Sequence, residues 1–332
     1  MLSIRDLSVN AVPAPFCIPT DHLRFSWKLT SDRNAVYQSS SRILLKKAET
    51  VLWDSGPVAS KKSVDIPCPA ALPPRSDISL SVEVTDNYGE SAGKTIALVT
   101  VLRPEDWSAV WIKPRRHVEG WAPYLRTKFD TWDGEILHAR LYVSGLGCGE
   151  YYVNNQKISE DLVDPPMTNY EREVFYRVYD VTGYLGKHNA LTALLGEGWY
   201  SQSRVWSPLT YKYGDVCLCA ELEICYRDGR TQTIATNSDD WAAKYSPITL
   251  NNLYAGENYD CRLETPDHAD PNGSDEGWEP VIADTVPKGP LTFCQMPPVR
   301  IIRALPAVSV KPVSGVDDGA WIIDIGENVA GF

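Results

Sequence analysis

Carboxyls, thiols and loop aromatics are the groups in this chain whose types could do chemistry. Acid–base catalysis by paired carboxyls needs one protonated and one ionised group held at a fixed separation. Glu197, Asp215, Glu257 and Asp260 are the carboxyls available in turn-like stretches. Spacing along a β-scaffold sets no distance between them, and each has a plain structural reading, which is favoured. Glu197 lies in Gly196-Glu-Gly198, whose glycines permit a chain reversal. Glu257 and Asp260 can bond loop backbone or the nearby Arg262. The eight cysteines (17, 68, 148, 217, 219, 225, 261 and 294) form no CxxC pair and read as free thiols, many of them small buried side chains. Cys217, Cys219 and Cys225 fall at even spacing with Glu221 and Glu223, so the five share one face of a strand. No histidine is near them in sequence and the spacing is not that of zinc ligands, so no metal site is expected. His22, His117, His138, His188 and His268 are scattered singly, and no Ser-His-Asp set, Walker loop or Rossmann glycine pattern appears.

Eleven Trp and seventeen Tyr are the unusual quantities. In a β-rich chain they fit packed sandwich cores, the commoner case, or carbohydrate-stacking platforms. The loop Gly198–Trp206 places Trp199, Tyr200 and Trp206 in a polar, turn-like stretch rather than an alternating strand. Such aromatics can stack on a sugar or seal a neighbouring interface, and the interface reading is favoured. Asp164, Asn169 and Asp215 are loop oxygens that could accompany them as a carbohydrate-binding or interface set.

The elements that must position these groups are strands. Val216-Leu218-Ala220-Leu222-Ile224 alternates with polar or Cys positions, and Asp228-Gly229 offers a tight primed turn into Thr231–Ile234. Asn154-Asn155 does the same between Glu150–Val153 and Gln156–Ile158. Helical periodicity is scarce, limited to a turn near 180–185. The fold class is all-β, as tandem β-sandwiches. Residues 1–103 have the strand spacing of an Ig- or fibronectin-like sandwich, with Trp27 and Trp53 as core candidates. Cys17 and Cys68 could mimic an Ig disulfide, but free thiols are favoured. Pro104–Trp107 is a linker, 107–286 is long enough for a jelly roll, and a Pro-rich break opens the start of a third sandwich at 287–332. Asp324–Phe332 reads as the entry into an unfinished turn, which suggests a larger protein. Val308, Val310, Ile322, Ile323 and Ile325 would then be apolar edges without a complement, and proteolysis is expected between about 285 and 298.

A net charge of −11 with scattered cations argues against a nucleic-acid partner. No stretch reaches the roughly 18–20 apolar residues of a membrane helix, and no secretory leader is evident, so a cytoplasmic location and no membrane partner are expected.

From Trp107 onward the motifs are similar to those of a known family. Ala139–Asn154, Tyr176-Arg-Val-Tyr-Asp-Val-Thr182, Leu194-Leu-Gly-Glu-Gly-Trp-Tyr200 and Tyr254–Asp260 resemble the N-terminal β-domain of bacterial α-L-rhamnosidases, glycoside hydrolase family 78. Asp324–Gly331 resembles that family's Asp-x-Gly-Gln-Asn-x-Ala-Gly turn, and Arg24–Trp27 with Leu52–Gly56 resembles its leading Ig-like domain. The chain departs from the pattern at Asn155, at Met167-Thr-Asn-Tyr170 and at Glu327. The resemblance implies an inverting hydrolase of terminal α-L-rhamnose. An inverting pair stands about 6.5–9.5 Å apart, and in this family it lies in an (α/α)6 barrel beyond the final motif, so no catalytic residue is assigned here. The implied partners are rhamnosylated small molecules or oligosaccharides, met through the intact enzyme, and the missing C-terminal catalytic domain. Some relatives carry a calcium-dependent rhamnose-binding module of this jelly-roll type. Calcium would need oxygen ligands, and no adjacent Asp-Asn pair here matches them, so no cofactor is assigned.

Overall fold

A computed structural model describes residues 1–202, 212–313 and 320–329. Helical structure among them is limited to three 3₁₀ turns, the middle one at Thr182–Tyr184 where the sequence places its short turn. Among the described residues no helix is long and apolar enough to cross a membrane.

Residues 3–100 form two facing sheets. One orders Val12–Pro13, Ser3–Val9, Arg24–Thr30 and Ile66–Pro67; the other orders Cys17–Ile18, Ser91–Thr100, Asp77–Asp86, Gln38–Lys47 and Thr50–Asp54. Alternating apolar residues (Leu7, Phe25, Ile43, Leu45, Leu80, Val82) close the core between them. Trp27 is fully buried there and its indole N–H donates to Gln38 Oε1 at 3.0 Å, as a buried indole requires. Trp53 is half-buried and packs on Phe25. Cys17 and Cys68 are free thiols in separate apolar clusters.

The second body is one long path of strands that curls on itself. Its order is Gln156–Lys157, Cys148–Val153, His188–Gly196, Pro123–Asp130, Ala242–Tyr245, Glu279–Ala283, Ile112–Pro114, Cys217–Tyr226, Ile136–Leu146, Val174–Asp180 and Leu291–Phe293. Leu125, Leu191 and Leu195 from one half meet Leu141, Leu218, Leu222 and Ile224 from the other. The central strands supply alternate residues to this core, the arrangement expected of a sandwich. Asn154 and Asn155 both adopt positive φ (51° and 64°) in their hairpin, which asparagine tolerates.

Two local readings are corrected. At Asp228-Gly229 only Gly229 is left-handed, at φ 87°. Gly229 N–H donates to Tyr226 O and Tyr226 N–H to Arg230 O, so the loop is an ordinary turn followed by a glycine bulge, not a two-residue primed turn. The Pro-rich stretch from 287 also does not simply break the sheet. Leu291–Phe293 pairs in parallel with Val174–Tyr176, a contact between distant segments that no turn signal announces. Beyond it, Ser309–Pro312 and Trp321–Asp324 make a separate antiparallel hairpin.

Candidate functional site

The strand Cys217–Tyr226 is buried on both faces except at Cys225, which is partly open. Its even residues fill the sandwich core, and on its other face Glu221 and Glu223 meet Arg75 of the Ig-like body. Cys217 and Cys219 join Tyr142, Tyr176, Cys17, Val99, Val101 and Leu102 in an apolar seam between the two bodies. Trp107 from the linker stands edge-on to Tyr176, with ring centroids 5.0 Å apart, and the Tyr176 hydroxyl donates to Leu102 O.

Farther along the same face the seam turns polar. Arg75 of the Ig-like body reaches across with both arms of its guanidinium. Nη1 donates to Glu223 Oε2 at 2.9 Å, while Nη2 donates to Glu221 and to the Asp106 carbonyl. Glu221 is almost wholly buried, and its second oxygen accepts from Ser108 N–H (2.8 Å) and Ser108 Oγ (2.7 Å). Burial pushes the Glu221 carboxyl up, but Ser108 and Arg75 outweigh it and hold the group below its ordinary value. Arg140 pairs with Asp77 beside this fork. The shared face of Cys and Glu seen in the sequence is thus the docking face for the first body.

The sequence candidates do not gather into one site. Trp199 is half-buried and edge-on to Tyr254. Tyr200 is buried, stacked on Tyr213 and edge-on to Tyr170. Trp206 lies outside the described residues. Asp164 is buried in an ion pair with Arg177 at 2.9 Å, and Arg177 also donates to the carbonyls of Cys294 and Met296. Burial raises the Asp164 carboxyl above its ordinary value despite that arginine. Asn169 shapes a turn, its carbonyl accepting from Arg172 and Glu173 N–H. Asp215 meets Lys212 (3.0 Å), Lys113 (3.2 Å) and His117 (3.6 Å); burial pushes it up, but these partners bring it below the usual range.

Of the five that lie among the described residues, only Tyr200 lines a cavity of about 420 Å³ shared with Tyr170, Tyr213, Lys212, Pro287 and Lys288. Lys288 is itself paired with buried Asp284. The Tyr170 hydroxyl has no hydrogen-bond partner among the described residues. Tyr170, Tyr213 and Lys288 were missed from sequence because each lies on a different segment, and only the folded sheet brings them together.

Of the remaining carboxyls, Glu197 and Asp260 are held by structural partners. Glu197 is buried and accepts from Gly120 N–H (2.9 Å) and Asn252 Nδ2 (3.2 Å). Asp260 chelates Arg262, which lowers its carboxyl to about 2. Glu257 is exposed on the Gly256–Tyr259 strand.

Known proteins place this architecture. The family model for the Rha78A-like N-terminal immunoglobulin domain matches residues 4–101, and that for the α-L-rhamnosidase N-terminal domain matches residues 134–303. The chain belongs to the α-L-rhamnosidase family. It is similar to an α-L-rhamnosidase of Alteromonas sp., with 31% identity over 93% of this chain and 36% of that protein. One from Formosa agariphila is 28% identical over 100% of this chain and 38% of its own length. The crystal structure of an α-L-rhamnosidase from Aspergillus terreus superposes with a TM-score of 0.89 at 26% identity, covering 99% of this chain and 39% of that one. The chain therefore spans less than two fifths of the length of these relatives, and it corresponds to the N-terminal part of a family 78 rhamnosidase.

Proposed function

We propose that this chain is the N-terminal accessory region of an enzyme that removes terminal α-L-rhamnosyl residues, with the catalytic barrel outside this sequence. The observation that carries the reading is the pairing of two N-terminal family matches with coverage of only 36–38% of the relatives' length. It is supported by the state of the carboxyls, since Glu197, Asp164, Asp215 and Asp260 are all held by backbone, asparagine or cation partners. The paired strands Ser309–Pro312 and Trp321–Asp324 add support: Val310, Trp321, Ile322 and Ile323 are exposed, as strands awaiting a further sheet would be. In this reading the two bodies are scaffolding beside the barrel and shape access for the rhamnosyl substrate. The 332-residue chain should give no turnover of a nitrophenyl α-L-rhamnoside, and measurable turnover would overturn the placement of the catalytic pair.

A second reading, sugar binding by the jelly-roll body itself, draws on the tyrosine-lined cavity and the unpartnered Tyr170 hydroxyl. Titration calorimetry with L-rhamnose, with and without calcium, tests it. Heat that disappears in Tyr213→Ala supports binding, whereas silence leaves the scaffold role alone.

A further inference from the structure

His138, Glu223 and Cys225 bring one nitrogen, one carboxylate oxygen and one sulfur within 4.8 Å of one another at the edge of the seam. His138 is far in sequence from the other two but their neighbour in the sheet. His138 and Cys225 are Cα partners across the antiparallel pair, and Glu223 lies two residues back on the same face. The pairing register shifts between Ile136 and His138, a bulge of the kind that re-aims a side chain.

We propose that these three residues form a binding site for a zinc-class divalent cation, with a fourth position open to water. The donor set selects the metal. A thiolate and an imidazole suit zinc and its borderline-soft neighbours, whereas calcium and magnesium take oxygen. Zinc bonds of about 2.0–2.3 Å put tetrahedral ligands roughly 3.3–3.8 Å apart, so the donors need draw in by only about 1 Å. His138 and Cys225 are both partly open to solvent, which leaves them room to turn and gives the ion a way in.

The surroundings support a cation. Asp77 Oδ2 stands 3.9 Å from His138 Nδ1, too long for a hydrogen bond but close enough to add negative charge beside the imidazole. Arg75 occupies one oxygen of Glu223, and a carboxylate has a second to offer. Asp77, Glu221 and Glu223 face Arg75 and Arg140, which leaves one negative charge in excess; Asp180 adds to it. Binding forms a metal–sulfur bond as the Cys225 thiol releases its proton to solvent, and the divalent charge offsets the thiolate and the excess. All three ligands belong to the second body, and Asp77 and Arg75 of the Ig-like body stand beside them where the seam opens to solvent.

The test uses the full chain with the exposed Cys261 replaced, Cys261→Ser, so that no loose thiol competes. Titration with Co²⁺ should load one ion per chain with the sulfur-to-metal charge-transfer absorption of a thiolate ligand, and Zn²⁺ should displace it. Zn²⁺ should also slow alkylation of Cys225, followed by peptide mass spectrometry, by more than about tenfold. Cys225→Ser should abolish the absorption, and His138→Gln should weaken Co²⁺ binding by at least about tenfold. The site is overturned if the folded chain shows no charge-transfer band, if the band survives Cys225→Ser, or if alkylation at Cys225 ignores Zn²⁺. The alkylation arm leaves the three ligands intact, so a variant that fails to fold does not remove the decision.

Discussion

Two strands of this chain carry similar apolar content and meet opposite fates. Cys217–Tyr226 is covered on both faces, by the sandwich core on one side and by the Ig-like body on the other. Trp321–Asp324 is exposed along its whole length, with Ile323 at 63% and Trp321 at 58%. Both were legible as strands, yet apolar content alone does not decide burial. What differs is the supply of a complementary surface. The first strand has Arg75 and Ser108 bonded to it and shares an apolar cluster with Trp107 and Val99, whereas the second has, among the described residues, only its hairpin partner.

The largest effect that could break this contrast lies at the polar end of the seam. Arg75→Ala would leave Glu221 and Glu223 buried without their cation, and losing one member of a buried pair costs about 3–5 kcal/mol. Urea unfolding of the full chain should show that loss in the jelly-roll transition; a loss under about 1 kcal/mol would mean that the fork is a surface pair in solution. On the inner face of the same strand, Leu222→Ala should cost about 2–4 kcal/mol through lost burial and a residual cavity. A near-neutral result would show that the strand does not hold the core.

A smaller effect follows from pH. The Glu221 carboxyl sits below its ordinary value of 4.5 in the fold. Its contribution is therefore fully present above that value and is lost as pH falls through the depressed one. The urea midpoint should drop between pH 5 and more acid conditions (to about pH 3) by more in the native chain than in Arg75→Ala. Equal drops in the two proteins would detach the acid sensitivity from the seam.

The strands, the Asn154-Asn155 turn and the burial of Trp27 were readable because they depend on local pattern. Alternation of Val216 to Ile224 marks a face, and asparagine marks a left-handed turn, whatever lies elsewhere. The odd face of that strand was also readable as a face, but not its partner, since Arg75 arrives from a point 146 residues earlier than Glu221. The parallel addition of Leu291–Phe293 was hidden for the same reason, and so was His138 opposite Cys225. The loop aromatics divided along similar lines. Tyr200 reads as a platform in a polar stretch, but Tyr170 and Tyr213 enclose it, and only the fold supplies them.

Pairing of Leu291–Phe293 and the Arg177 bonds to Cys294 and Met296 tie down most of the stretch where proteolysis was expected. Residues 301–307 instead carry no regular structure, and Ile302 is 97% exposed. Limited trypsin digestion should cut first after Arg303, releasing the hairpin and leaving the two bodies whole; early cutting after Lys288, which is buried against Asp284, would contradict the structure.

The smallest expected effect is the most diagnostic. Ile323→Ser in this chain should change stability by less than about 0.5 kcal/mol, because the residue is already 63% exposed and gives up little buried area in becoming polar. In a longer form that supplies a facing sheet, the same substitution would remove a buried isoleucine and place a hydroxyl in its stead, costing about 2–4 kcal/mol. Measuring both separates a strand that is intrinsically surface from one that is waiting for cover. A loss above about 1 kcal/mol in the short chain would show that the hairpin already packs on something, and the contrast between the two strands would then be one of degree.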